Sequence, residues 1–516
     1  MAHDVCVYGE AAGGLIAAVA AAREGRRVIL VSPRSRLGGL SSGGLGATDT
    51  GDIRVIGGIA REVYRRIGKH YGDAERFTFE PRVAERVFRD LATEAKVEIR
   101  PGRRVTKVTK AGPRITSLTL DDGGVVEAGV YIDASYEGDV MARAGVPYAV
   151  GREPVAQYGE SLNGIRAETP SHQFSVPVDP YVKPGDPASG LLPCVQPGDG
   201  GAPGGGDHKI QAYNFRLCLT RDPANMKPID PPAGYDAFRY EALGRYCAAL
   251  AAAGKPAVFS DFFLIVTMPN GKTDFNNSGG FSTDHIGANW EYPDADYARR
   301  DAIWADHEAY TRGLFQFLRT DARVPEKFRK EAALWGFCRD EFEETGGMSP
   351  QLYVREARRM LGAYVVTQAD CQRKVLVDDA VGMGAYTMDA HNSQRVVQGG
   401  VLKNEGDVQI GVAPYPISYR AITPKPEHCE NLLVNVCVSA THIGHGSIRM
   451  EPVFMVLGES AGLAACAALA ERKPVQGIDI RKLQARVQQS GQVLEWDPAS
   501  QREGGWMHDA TRYRSE

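Results

Sequence analysis

The sequence predicts an α/β fold, and three observations near its start carry that prediction. Residues 4–8 form a short apolar run suited to a buried parallel strand. An Ala-rich segment reaching about Arg26 has strong helix propensity. Residues 28–31, Val-Ile-Leu-Val, read as the next strand. Between the first strand and the helix lies Gly9-Glu10-Ala11-Ala12-Gly13-Gly14. Strand, glycine turn, helix and strand have the lengths of a Rossmann-like βαβ unit.

The turn reads Gly9-x-Ala11-x-x-Gly14, a variant of the dinucleotide-binding fingerprint. Gly9 allows the tight turn, and Ala11 is small enough for backbone to approach a pyrophosphate. Gly13 and Gly14 open the helix, and Gly14 lets it pack close to the strand. The N–H groups at the helix start serve the phosphates. Two residues depart from the fingerprint. Ser32 stands where an acid would hold a ribose hydroxyl, and Glu10 puts a carboxylate beside the phosphates. Ser32, Arg34 or Arg36 could compensate.

At 516 residues the chain is too long for one ordinary core, so at least two packed domains are expected. Hydrophobic residues at 43% and charged residues at 24% suit a globular enzyme. A net charge of −4 gives no reason to expect a nucleic-acid partner. No apolar run reaches the roughly 20 residues of a membrane span, and no signal peptide is evident. The nine cysteines are scattered without a CxxC, so they read as mostly free thiols in a reducing cytoplasm, without a metal framework.

Residues 36–46 read Arg-Leu-Gly-Gly-Leu-Ser-Ser-Gly-Gly-Leu-Gly. Such a run presses backbone against something flat or crowded, because only glycine avoids a Cβ clash there. With the βαβ start, it resembles the FAD-dependent oxidoreductase superfamily of glutathione-reductase-like and fumarate-reductase-like flavoproteins. The resemblance implies FAD as cofactor, with Arg36, Gly38, Gly39, Ser42, Gly43 and Gly44 beside its phosphates and ring. It also implies that backbone in residues 97–108, Val105 among them, meets adenine. Residues 129–135 resemble the strand that ends near FAD in Asp133, Ala134 and Ser135, with Asp139 following; Asp133 or Asp139 could equally be a helix cap. A hairpin is expected around Asp121-Asp122-Gly123-Gly124.

Further matching segments, at 157–161, 351–360 and 447–452, extend the resemblance to a branch of these flavoproteins common in carbohydrate-degrading bacteria. The implied fold is a Rossmann-like FAD-binding domain (1–151 and 405–475) with an inserted α+β substrate domain (152–404) and a C-terminal helix and tail (476–516).

Residues 197–207, rich in glycine, read as an irregular, mobile loop, a plain insertion rather than a lid. Residues 297–317 and 351–361 read as helices. On the second, Arg355 and Arg359 would share a face within a domain-bracing ion-pair network. His391 is a second-rank catalytic candidate, with a buried structural role as the alternative. Residues 439–447 read as a polar loop carrying His442 and His445, followed by Arg449. A helix opening at Gly458 to Ala461 would, by the resemblance, aim its N-terminus at the flavin. The loop would then lie beside the reactive ring. Residues 479–489 read as an amphipathic helix.

The chemistry expected is oxidation of a hydroxylated small molecule, a sugar or glycoside favoured, by hydride transfer to flavin. His442 or His445 would act as base and Arg449 would hold substrate oxygens. One alternative is a fumarate-reductase-like reduction or formation of a C=C bond, and another is a flavoprotein scaffold without turnover. No second glycine fingerprint provides an NAD(P)H domain, so the electron acceptor is open. Oligomerisation is open too.

Overall fold

β1 (His3–Tyr8), α1 (Ala12–Arg23) and β2 (Val28–Ser32) follow one another as the βαβ reading requires. The computed structural model describes residues 3–497, so the end of the expected polar tail lies outside the described residues. β1 is buried along its last four residues, and Val5 to Tyr8 pair in parallel with Val28 to Val31. After a short helix α2 (Gly39–Gly43), β3 (Glu98–Pro101) adds to the outer side of β2. β4 (Val105–Ala111), β5 (Arg114–Leu120) and β6 (Val125–Val126) form an antiparallel sheet, with the Asp121 to Gly124 turn between β5 and β6. β7 (Ala128–Asp133) returns beside β1, and β8 (Leu432–Val434) pairs with β7 from the far end of the chain. The five parallel strands stand in the order β8-β7-β1-β2-β3. This is an α/β fold whose crevice opens at the C-terminal ends of β1 and β7.

A second sheet of five antiparallel strands is drawn from residues 217–338. It is apolar on its packed side, where Phe263 and Phe275 meet Phe315 of the long helix α3 (Tyr297–Thr320) and Trp335 meets Phe275 edge-on. Asp296 caps α3 by accepting from the Arg299 N–H. The other end of α3 therefore serves the second sheet, while its first turns reach the parallel one.

Four sequence expectations are corrected. Residues 351–358 are not helical but extended or irregular, ending in the short strand Arg359–Met360, which pairs with Tyr148–Ala149. The ion pairs are present without the helix. Arg355 meets Asp284 at 3.0 Å, Arg358 meets Asp139 and Asp294, and Arg359 meets Glu153 and Glu356. An extended chain sends successive guanidiniums to opposite sides, and the acids they meet lie on both. Second, the polar loop is a helix, α4 (His442–Ile448), N-capped by the Thr441 hydroxyl on the Gly444 N–H.

Third, the Ala-rich helix begins earlier than expected, as α5 (Glu451–Glu471) with Pro452 in its first turn. Its 21 residues are apolar enough to cross a membrane by length and composition, yet 83% of that window is buried in the protein. It is the central helix of the core, lying against α1. A Cβ at Gly458 would stand 2.0 Å from the Gly13 carbonyl oxygen, and one at Gly462 2.4 Å from that of Ala17. Fourth, the 197–207 loop is irregular but anchored. The Gly204 N–H donates to the Ile165 carbonyl and the Ile165 N–H to the Gly205 carbonyl, and Asp207 pairs with Arg152 through backbone and side chain. The helix Ile480–Gln489, capped by Asp479, stands where expected.

Candidate active site

The turn after β1 has the geometry its glycines predict. Gly9 has φ +137°, and a Cβ there would stand 2.2 Å from the Ala134 carbonyl carbon. The start of α1 carries no side-chain cap from Ala11. Ala11 bridges to Gly38, and Gly39, at φ +51°, lies where a Cβ would be 2.3 Å from the Tyr136 hydroxyl. This brings the two glycine stretches into one cradle. Glu451, from the first turn of α5, faces the Ala12 N–H and accepts from Tyr136 at 2.5 Å and Ser41 at 3.3 Å. Burial lifts its carboxyl to about 7. Glu10 is buried in the same place, and its Oε2 has no hydrogen-bond partner. Burial and the nearby Glu137 hold its carboxyl well above the usual range.

Other expected cofactor residues are engaged in the fold. Ser32 donates to the Arg34 carbonyl and accepts from the Arg34 N–H inside its own turn. Arg36 pairs with Glu85 and Glu344, and Ser42 donates to the Leu37 carbonyl. Asp133 caps the turn ahead through the Ser135 and Met141 N–H groups, and Ser135 Oγ receives the Gly138 and Asp139 N–H groups. Gly14 is a packing residue against Ala134, and Gly43 and Gly44 press on Gln351 and Arg216. Gly458 and Ala461 lie two turns or more inside α5, so they pack the helix rather than open it.

Val105 and Asp139 are held by α3. The Val105 N–H donates to Tyr8 at 3.2 Å and its carbonyl accepts from Tyr297 at 2.8 Å. Asp139 accepts from Arg300, Arg143, Arg358 and Tyr297. Asp301 pairs with Arg104, and the Arg34 guanidinium lies 3.8 Å over Trp304. The left-handed glycine turn and the cradle formed where Ala11 bridges to Gly38 fit an FAD pyrophosphate at the turn.

Beyond the glycine stretch lies a polar cavity of about 320 Å³. Asp49, Tyr353, Tyr386, Asp389, His391 and Asn277 are among the residues that line it. Asp49 is placed by the chain leaving Gly46, whose N–H, with that of Ala47, donates to Asp274; Asp274 in turn holds Arg216, 3.3 Å from Asp49. Asp389 and His391 sit two residues apart at the edge of the strand Met388–Ala390, which sends both toward the cavity. Arg449 stands behind, donating to Tyr353 at 2.8 Å and to Asp389 at 2.9 Å.

His391 is bonded through Nδ1 to Asp284 at 2.7 Å, with Nε2 3.8 Å from Asp389. A carboxylate at Nδ1 selects the tautomer that leaves the Nε2 lone pair free. Burial, helped by Arg355, pushes the ring down to about 4. Burial raises the Asp284 carboxyl, but Arg355 and His391 outweigh it and bring it down to about 2. The pair is thus a neutral imidazole on an ionised carboxylate near pH 7.

His442 and His445 do not line this cavity. His442 is bonded to Glu356 at 2.7 Å and its N–H to Glu153. His445 is buried, and burial drives its ring to about 3. The structure therefore places His391 in the cavity wall, with Arg449 behind it on Tyr353 and Asp389, and seats His442 and His445 outside that wall. Asp284 was missed by sequence reasoning because no local signal joins positions 107 residues apart.

Among solved structures, OxyS anhydrotetracycline hydroxylase from Streptomyces rimosus is 17% identical over 35% of this chain and 38% of that one, with a TM-score of 0.25. Thermovibrio ammonificans THI4 is 19% identical over 29% and 66%, with a TM-score of 0.24. T. acidophilum thioredoxin reductase is 22% identical over 26% and 35%, with a TM-score of 0.18. The chain thus spans under two-fifths of the hydroxylase, and scores this low leave the assignment to other grounds. No curated protein matches the chain. The family described as FAD dependent oxidoreductase matches residues 4–487. A match that opens in β1 and closes in the helix Ile480–Gln489 leaves almost nothing outside it: the chain belongs to the FAD dependent oxidoreductase family, enzymes with FAD as cofactor.

Proposed function

We propose that this enzyme oxidises a hydroxylated small molecule, a sugar or glycoside, in the cavity at Asp49 and His391. The observation that carries the reading is the His391–Asp284 pair in the cavity wall, a neutral imidazole fixed for proton uptake. FAD, when bound, supplies the acceptor for the carbon-bound hydrogen and its electron pair. His391 Nε2 takes the hydroxyl proton, and Asp284 stabilises the resulting imidazolium. Asp49, Asn277, Asp389 and Gln409 offer hydrogen-bond partners to several hydroxyls, and Tyr353 and Tyr386 offer ring faces. A volume of about 320 Å³ suits a small ligand of that kind. Arg449 positions Tyr353 and Asp389 rather than clamping substrate, since its side chain is almost wholly buried. The competing C=C chemistry would need that guanidinium free.

The test is an anaerobic visible spectrum of the holoenzyme with a panel of sugars, glycosides and, after chemical reduction, enoates. Bleaching by a sugar supports the proposal. Indifference to every sugar with reoxidation by an enoate overturns it.

A further inference from the structure

His172 lines the same cavity as His391 but takes no part in the proton transfer proposed there. It holds φ +49°, a left-handed setting that glycine or asparagine adopts more readily. Among the described residues its ring makes no hydrogen bond: Nδ1 is buried without a partner, and the bonds His172 accepts go to its backbone carbonyl. The fold therefore gains no hydrogen bond from this imidazole, and Nε2 is the nitrogen left to a ligand. A left-handed backbone and an unused polar ring together are the pattern of a residue kept for binding rather than for folding.

The backbone at this position is fixed from two sides. The His172 carbonyl accepts from the Asn404 side-chain amide at 2.8 Å and from that of Asn392 at 3.3 Å. Asn404 is buried in the strand Val401–Glu405, where its amide also donates to the Gly280 carbonyl and its Oδ1 accepts from Arg395. Gln173 is tied to the same residue, accepting from the Asn404 N–H and donating to the Asn404 carbonyl. Asn392 directly follows His391. One stretch of chain thus carries the base and clamps His172. The two imidazole rings come within 6.2 Å, centroid to centroid, with an interplanar angle of 16°.

We propose that His172 is a substrate-binding residue whose Nε2 hydrogen-bonds a hydroxyl on the carbon next to the one oxidised, so that the cavity selects 1,2-diols. The role rests on the oxidation proposed above. There the reacting hydroxyl gives its proton to His391 Nε2, and its carbon keeps its hydrogen toward the flavin. A second imidazole, nearly parallel and 6.2 Å away, stands where the next oxygen of a small ligand falls. Hydrogen bonds of about 2.9 Å from each ring let oxygens on adjacent carbons span that spacing. An imidazole nitrogen donates to or accepts from a hydroxyl according to its tautomer, so the contact suits an alcohol. No bond is made or broken at His172.

The experiment is stopped-flow flavin reduction of the full-length holoenzyme by methyl glucoside, methyl galactoside and methyl mannoside, each with its monodeoxy analogues. Wild type, His172→Asn and His172→Gln are compared. Asparagine suits the left-handed backbone but falls short of the Nε2 position, which a glutamine amide reaches; flavin content and thermal midpoint report that both variants fold. In the wild type, losing the hydroxyl beside the oxidised carbon should lower kcat/KM about tenfold, mostly through KM. His172→Asn should lose the same factor on the parent glycoside and nothing more on that analogue, and His172→Gln should recover part of it. Calorimetric titration of the same glycosides into the oxidised holoenzyme separates this contact from the oxidation itself. Binding that weakens about tenfold in His172→Asn, without bleaching of the flavin, supports the contact and overturns the oxidation. Equal losses on parent and deoxy glycosides, unchanged kinetics and affinity in His172→Asn, or no binding of any glycoside overturns the proposal.

Discussion

The dinucleotide half and the cavity half are built on opposite principles. Around α1 and α5, chemistry follows from small residues close in sequence: Gly9, Ala11, Gly13 and Gly14 make a turn and a helix face within six positions. The cavity takes its wall from positions 49, 172, 264, 276–278, 353, 386, 387, 389, 391 and 409. Its function depends on charged side chains that meet only after folding. The first region is specified by backbone geometry and the second by side-chain convergence, so each should fail in its own way.

The sharpest break is expected at Arg355. Arg355→Ala strands the Asp284 carboxylate in the interior and should cost about 3–5 kcal/mol in chemical denaturation. A loss below 1 kcal/mol would show that the seam is not structural. His391→Asn is expected to keep FAD and fold yet slow flavin reduction by two or more orders of magnitude in stopped flow. If that variant reduces at the parent rate, the base lies elsewhere.

In the dinucleotide half, Gly458→Ala forces a Cβ onto the Gly13 backbone and should cost about 1–3 kcal/mol, with flavin content falling alongside. Unchanged stability and flavin content would refute the close packing. The pH profile separates the halves. His391 must be neutral to act, so flavin reduction should be full near neutrality and fall as pH drops through about 4. An acid limb near the ordinary histidine range would remove His391 from the role.

The smallest effect concerns Glu10. Its raised carboxyl is neutral at low pH and charges beside the phosphates as pH rises. FAD affinity of the wild type should therefore weaken with rising pH, while Glu10→Gly stays flat and binds about tenfold tighter at the alkaline end. Titration of the apoprotein followed by flavin fluorescence gives both curves, and parallel curves would place Glu10 away from the phosphates.

Legibility followed the same division. Strand, turn and helix in the first 32 positions, the Asp121 to Gly124 hairpin and the helix Ile480–Gln489 are all written in local periodicity. Arg355 to Met360 misled because its residues favour a helix, whereas ion pairs to four acids elsewhere in the chain, Asp284, Asp139, Asp294 and Glu153, hold it extended. His442 to Ile448 misled in reverse, since its two glycines and two histidines hide a helix that Thr441 caps. The start of α5 was missed because Pro452 marks a first helical turn and Gly458 a helix contact. His391 was visible as a residue, but its partner Asp284 was not, because only the fold joins them.

The buried seam of Arg355, Arg358 and Arg359 also bears on how this protein can drift. Each guanidinium sits against an acid with almost no water to replace it, so losing either partner alone leaves a bare charge inside. Descendants of this chain can alter that region by exchanging both members of a pair, or by keeping both, and single-step intermediates between those states are penalised in stability.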